Sequence, residues 1–223
     1  MKRGAALALT LAAGIAGART PVPLCVTDFP PYVSPALPDG GQLTALARRA
    51  FAAGGLGVRQ LDVPWVRAYA MAGRGECLLL AVWRNEERDA QFRYSLPVAQ
   101  MELGLFVRAD RQAPLPHGAT VAYQRGSYLP PAMAGGRYRL HALINARPGL
   151  ELLQLGRVEA VFSERASFEH QLAQRPGGAW VRWQAPPLEV KPTFMALSKA
   201  HPQAQAWLAL LDEEIRQSGE LRN

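Results

Sequence analysis

The chain has 223 residues, 49% of them apolar and 19% charged, with a formal net charge of +7. That length supports one large domain or two small ones with ample core. The positive charge is scattered, with no basic run of five or six residues and no basic stripe interleaved with aromatics, which argues against a nucleic-acid-binding surface.

Residues 1–18 read as a secretory signal peptide. "MKR" is a positive start, "GAALALTLAAGIAGA" a short apolar run of small residues, and Ala16-Gly17-Ala18 a cleavage site before Arg19. An N-terminal anchor is the alternative. No later run of ~18 apolar residues follows, so the mature chain is expected to be soluble and to carry about +5 once Lys2 and Arg3 are gone. Cys25 and Cys77 are the only cysteines. In an exported chain an even pair points to one disulfide, and two buried free thiols are the other reading. His117, His141, His170 and His201 are far apart and lack CxxC or HExxH company, so no metal and no cofactor are expected.

"PLCVTDF" is a β-rich run ending at Asp28, and the proline-rich "PPYVSPALPDGG" breaks regular structure. "QLTALARRAFAAGG" has helical spacing and a Gly54-Gly55 stop. "VRQLDV" alternates as a strand, "PWVRAYAMAGRG" is a helix with Pro64 in its first turn, and "CLLLAVW" is a continuous apolar strand. This β-α-β-α-β order predicts a parallel sheet with ligands outside the carboxyl ends of its strands, where Asp28 and the stretch from Trp83 to Arg88 lie. Strands follow at "MELGLFVR", at "ATVAYQRGSY" breaking at Gly126, and at "RYRLHAL". "ARPGLELLQLGRVEAVFSERASFEHQLAQR" reads helix, strand, helix. "AWVRWQ" and "TFMALSK" read as two strands joined by a stiff return at Pro186-Pro187. The last helix carries Ala206, Leu208, Leu211 and Ile215 on one face. The α/β unit restarts near residue 118, which implies a second lobe.

"DFPPY", "GGQLTALARRAF", "VPWVRAYAMAGRGECLLL", "WRNEERDAQFRYSLP", "VAYQRGSY" and "LLQLGRVEAVFSE" occur in this order. Together they resemble the periplasmic solute-binding proteins of the amino-acid type, solute-binding family 3. The resemblance implies two α/β lobes, each a mainly parallel sheet flanked by helices, joined by two crossover hinge segments and closing on a small molecule. Lobe 1 would be 19–106 plus 190–223, and lobe 2 would be 107–189 with the hinges. Cys25 and Cys77 would then lie on neighbouring strands.

The resemblance places Arg88 on the ligand's α-carboxylate, a role that suits a planar, permanently charged guanidinium. A surface arginine paired with Glu86, Glu87 or Asp89 is the rival reading. Phe29 and Tyr32 would form an aromatic wall, or pack in the core. Asp28 would accept from the amino group, or cap a loop. Trp65 would help line the cleft, or be core. Trp83 stands where a small hydroxyl residue is usual, which is expected to remove a donor and add a flat face. Ser127 would meet the carboxylate with its hydroxyl and backbone N–H, Tyr128 replaces a threonine, and Glu164 would pair with the amino group or merely begin a helix.

The function implied is non-enzymatic capture of an amino acid or other carboxylate in the periplasm by a monomer, for an inner-membrane ABC permease. The alternatives are a ligand-sensing accessory protein and a cyclohexadienyl-dehydratase-like enzyme with Glu164 as general acid.

Overall fold

The computed structural model describes residues 20–144, 147–175 and 177–219. The expected signal peptide therefore lies outside the described residues. Eight strands form one mixed sheet: β1 (Val22–Val26), β2 (Val58–Asp62), β3 (Leu78–Trp83), β4 (Phe92–Arg108), β5 (Thr120–Gln124), β6 (Arg139–Leu143), β7 (Ala160–Glu164) and β8 (Val181–Ser198). The order across the sheet is β2-β1-β3-β8-β4-β7-β5-β6. The three strands read from the first ninety residues are parallel, as are β5, β6 and β7.

Helices α1 (Gln42–Ala53), α2 (Trp65–Gly73), α3 (Glu86–Gln91), α4 (Pro131–Ala134), α5 (Arg147–Gln154), α6 (Arg165–Ala173) and α7 (Ala204–Ser218) flank the sheet. Among the described residues no helix is long and apolar enough to cross a membrane. The apolar spacing of α1 buries Leu46, Ala47, Ala50 and Phe51 against β1, β3 and α7. On α7 the buried face is Ala204, Trp207, Leu208, Leu211 and Ile215, while Ala206 is exposed. Leu208, Leu211 and Ile215 are thus buried as expected, and Trp207, which meets Phe51 edge-on at 5.8 Å, takes the inward place expected for Ala206.

The largest departure from the sequence reading is in the middle. "AWVRWQ" and "TFMALSK" belong to a single 18-residue strand, β8, which pairs antiparallel with the 17-residue β4. These two strands are the crossovers, passing from a core built on Leu24, Phe51, Leu78 and Leu211 to cores built on Leu103, Leu105 and Val121 and on Phe106, Leu153 and Phe168. The ladder is continuous except at register shifts, the largest where Leu103 pairs with Glu189 but Leu105 with Gln184. β8 accommodates Pro186 and Pro187, which have no N–H to give, by bulging there. Opposite the bulge lies Gly104, where an added Cβ would stand 2.5 Å from the Trp183 ring. Gly104→Ala is therefore expected to cost about 1–3 kcal/mol, lowering the melting temperature by roughly 5 °C, with much of the loss recovered by Trp183→Leu. Thermal melts of the single and double variants check this.

Cys25 on β1 and Cys77, just before β3, are joined in a disulfide with S–S 2.01 Å. Both are buried beside Ala68, Ala72 and Phe92.

Candidate functional site: a cleft at the carboxyl ends of the strands

The loops after β1, β3, β5 and β7 converge on one cleft. Thr27, Asp28 and Phe29 follow β1; Ala81 and Trp83 come from β3; Gln124 and Ser127 sit at and after the end of β5; Phe162, Ser163 and Glu164 end β7. Trp65, Leu103, Ser167 and Gln171 complete the lining. Of the residues expected from the sequence, Asp28, Phe29, Trp65, Trp83, Ser127 and Glu164 meet here. Tyr32, Tyr128 and Arg88 are placed differently.

Glu164 is 4% exposed and is the last residue of β7 and the N-cap of α6. Its carboxylate accepts from the backbone N–H groups of Ala166 at 3.1 Å and Ser167 at 2.7 Å, and from the Tyr32 hydroxyl at 3.3 Å. The helix-start reading is therefore realised, and the same carboxylate also faces the cleft. Among the described residues it forms no ion pair, because its neighbour Arg165 is engaged by Glu102 and Glu169. Burial pushes its pKa up, opposed by the three hydrogen bonds and reinforced by the nearby Glu169. Tyr32 is raised as well, first by burial and then by Glu164, so it stays a hydroxyl donor at neutral pH.

Arg88 is 4% exposed and projects from α3, which starts directly after β3 because Asn85 caps it: the Asn85 side chain accepts from the Arg88 N–H at 2.9 Å, and three acidic residues occupy the first turn. The guanidinium folds back to donate to the Trp83 carbonyl at 2.7 Å and reaches across to the Gly126 carbonyl at 3.0 Å. It lies 5.5 Å from the centres of both the Trp65 and Tyr69 rings. Asp89, a candidate partner from the sequence, is held instead by Arg84 at 2.9 Å. Among the described residues Arg88 makes no ion pair. It does not line the cleft that holds Glu164 but a neighbouring pocket, with Trp65 and Ser127 forming the wall between the two. Trp65 strengthens the same junction, donating its indole N–H to the Gly126 carbonyl at 2.8 Å.

Trp83 does not delete a donor, contrary to expectation. Its indole Nε1 is buried and without a partner among the described residues, as is the Ser127 hydroxyl, and both residues line the cleft. The Ser127 backbone N–H is already given to the Gln124 carbonyl at 3.1 Å, so the hydroxyl is the group left to offer. Phe29 lines the cleft, edge-on to Trp83 at 5.7 Å, and Tyr32 stands beside it at 5.3 Å but outside the lining. Asp28 is exposed at the rim, one oxygen accepting from Ser34 at 3.0 Å. Tyr128 turns towards the crossover, its hydroxyl on Glu189 at 2.8 Å and its ring 4.3 Å from the Lys191 ammonium. Among the described residues no group of three or more His, Cys, Asp or Glu could hold a metal.

Gln124, Ser163 and Gln171 were missed in the sequence. The first two could have been found by applying to β5 and β7 the same rule, ligands at carboxyl ends, that singled out Asp28.

Two sheet halves on shared crossover strands, with a cleft between them, define the architecture of the two-lobed type II periplasmic binding proteins. Solved structures of that fold are similar to this chain over nearly its whole length. The GluR0 ligand-binding core in complex with L-glutamate has a TM-score of 0.78 and 16% identity, covering 92% of this chain and 96% of the other. An ancestral arginine-binding protein bound to arginine has a TM-score of 0.77 and 18% identity, covering 91% and 94%. The amino acid ABC transporter substrate-binding protein AbpA from Streptococcus pneumoniae, bound to L-arginine, has a TM-score of 0.76 and 20% identity, covering 90% of each chain. No family model and no curated protein matches the chain.

Proposed function

We propose that the protein is a periplasmic solute-binding protein that captures a small polar solute bearing an amino group, an amino acid above all, between lobes divided within β4 and β8. The carrying observation is a pair of buried charges of opposite sign, Glu164 and Arg88, neither in an ion pair among the described residues, separated by the Ser127 hydroxyl, which has no partner among them either. An isolated buried charge is costly, and a ligand supplying the opposite charge repays that cost as binding energy. Glu164 accepts three hydrogen bonds that suit a carboxylate taking up an ammonium, against the burial that raises its pKa. Delivery to an inner-membrane ABC permease, by a monomer, is part of the same proposal and draws on the transporter-type proteins that share the fold.

Titration calorimetry of the mature chain against a panel of amino acids tests this. Binding of at least one with 1:1 stoichiometry is expected, weakened about tenfold or more in Arg88→Met. Absence of binding across the panel, or an Arg88→Met protein indistinguishable from wild type, overturns it.

A further inference from the structure

The charge of the solute can be read from what the Glu164 cleft contains and what it lacks. Among the described residues two carboxylates line it, Asp28 and Glu164, and no lysine, arginine or histidine does. Arg88 stands behind the Trp65–Ser127 wall with its N–H groups on two carbonyls. The second oxygen of Asp28 takes no hydrogen bond from the described residues, and no cation pairs with it. Aromatic faces complete the enclosure: Phe29, Trp65, Trp83 and Phe162 all line the same space. Carboxylates set among aromatic rings form an environment for organic cations, since the ring faces and the carboxylates attract the same sign of charge. The fold itself makes no such choice, because it holds glutamate in one similar protein and arginine in others. The lining is what discriminates.

We infer that the captured solute carries a net positive charge, its amino group on Glu164 and a second cationic group, ammonium or guanidinium, between the aromatic wall and Asp28. This rests on the solute-binding reading and deepens it. One α-ammonium would satisfy Glu164 and leave Asp28 to solvent at the rim, whereas a dibasic amine pairs with both. An acidic side chain would instead be repelled by Asp28 and Glu164 together.

The test compares amino acids that carry a side-chain cation with neutral counterparts, citrulline being nearly isosteric with arginine and norleucine being lysine without its ammonium. L-arginine is titrated against L-citrulline, and L-lysine against L-norleucine, with L-glutamine and L-glutamate as further probes, on the mature disulfide-bonded protein and on Asp28→Asn. The expected result is that arginine or lysine binds at least about 30-fold more tightly than its neutral counterpart, that glutamate is the weakest, and that Asp28→Asn shrinks the preference to a few-fold. Asp28 is exposed at the rim, so the variant is expected to fold, and an unchanged far-ultraviolet spectrum verifies this. Equal or tighter binding of citrulline, norleucine, glutamine or glutamate overturns the charge inference and leaves the solute-binding proposal standing. A cation preference that survives Asp28→Asn undiminished also overturns it. Silence from every probe overturns the inference and the parent reading together.

Discussion

Glu164→Gln is expected to weaken solute binding by about 100-fold or more while leaving the protein folded. Truncating one partner of a buried, hydrogen-bonded charge pair typically costs about 2–5 kcal/mol of binding, because the other charge is left buried alone. Gln retains an oxygen for the α6 N-terminus, where Glu164 now receives the Ala166 and Ser167 N–H groups, so the cap survives in part. Wild-type affinity should also depend on pH. Burial raises the Glu164 pKa, so in the ligand-free protein this group favours the folded state below the ordinary carboxylate range, and that contribution is lost as pH rises through the raised value. A cation binds only the ionised form, so affinity should rise with pH over the same interval, by up to about tenfold per unit. The groups around Glu164 among the described residues are Tyr32, which stays protonated and donates to it, Glu169, which is paired with Arg165, and Asp28 across the same cleft. Calorimetry across pH on wild type and Glu164→Gln checks this, with a flat profile expected for the variant.

The second large effect concerns the covalent tie between β1 and the start of β3. The cysteines are 52 residues apart in sequence, and on the chain-entropy account a loop of that size stabilises the fold by about 4 kcal/mol. The double variant Cys25→Ala/Cys77→Ala should melt roughly 10 °C lower than the wild type, and wild type in excess dithiothreitol should match it. The bond spans α1, β2 and α2, whose loops carry Phe29, Tyr32 and Trp65 to the site. Loss of the tie should therefore weaken solute binding as well as lower the melting temperature. A variant that melts with wild type would show that strand pairing alone holds this half of the sheet.

Much of the architecture was legible because local signals agreed with the global arrangement. Gly54-Gly55 closes α1, the apolar run from Leu78 becomes a buried central strand, and "VEAVF" runs into β7, flanked as predicted by helices. What was not legible involved long-range pairing. The Pro186-Pro187 pair reads locally as a break, yet β4 supplies enough partners on either side to keep β8 one strand. Helix α3 was missed because six residues hold too little apolar periodicity to signal a helix, and only the Asn85 cap marks it.

At the site, residue types were easier to read than directions. Asp28, Phe29, Trp83, Ser127 and Glu164 meet in one cleft, as strand-end positions should. Tyr128 turned away because Glu189 and Lys191, distant in sequence, offer its hydroxyl and ring better partners on β8. Arg88, expected to reach into the cleft, is buried in α3 just after β3 and lines the neighbouring pocket. Its hold on Gly126 depends on a loop 38 residues further on, which no local pattern encodes.

The central claim, that a small cationic solute enters the cleft walled by Trp83, is tested most directly by the indole N–H resonances of the 15N-labelled mature protein titrated with L-arginine. Trp83 is assigned through Trp83→Phe, and Trp207, packed between α1 and α7 away from the cleft, serves as the internal control. The prediction is a saturable shift of the Trp83 indole N–H, accompanied by that of Trp65, with Trp207 stationary. Saturation by arginine with the Trp83 resonance unmoved, or no saturation at all, would contradict it.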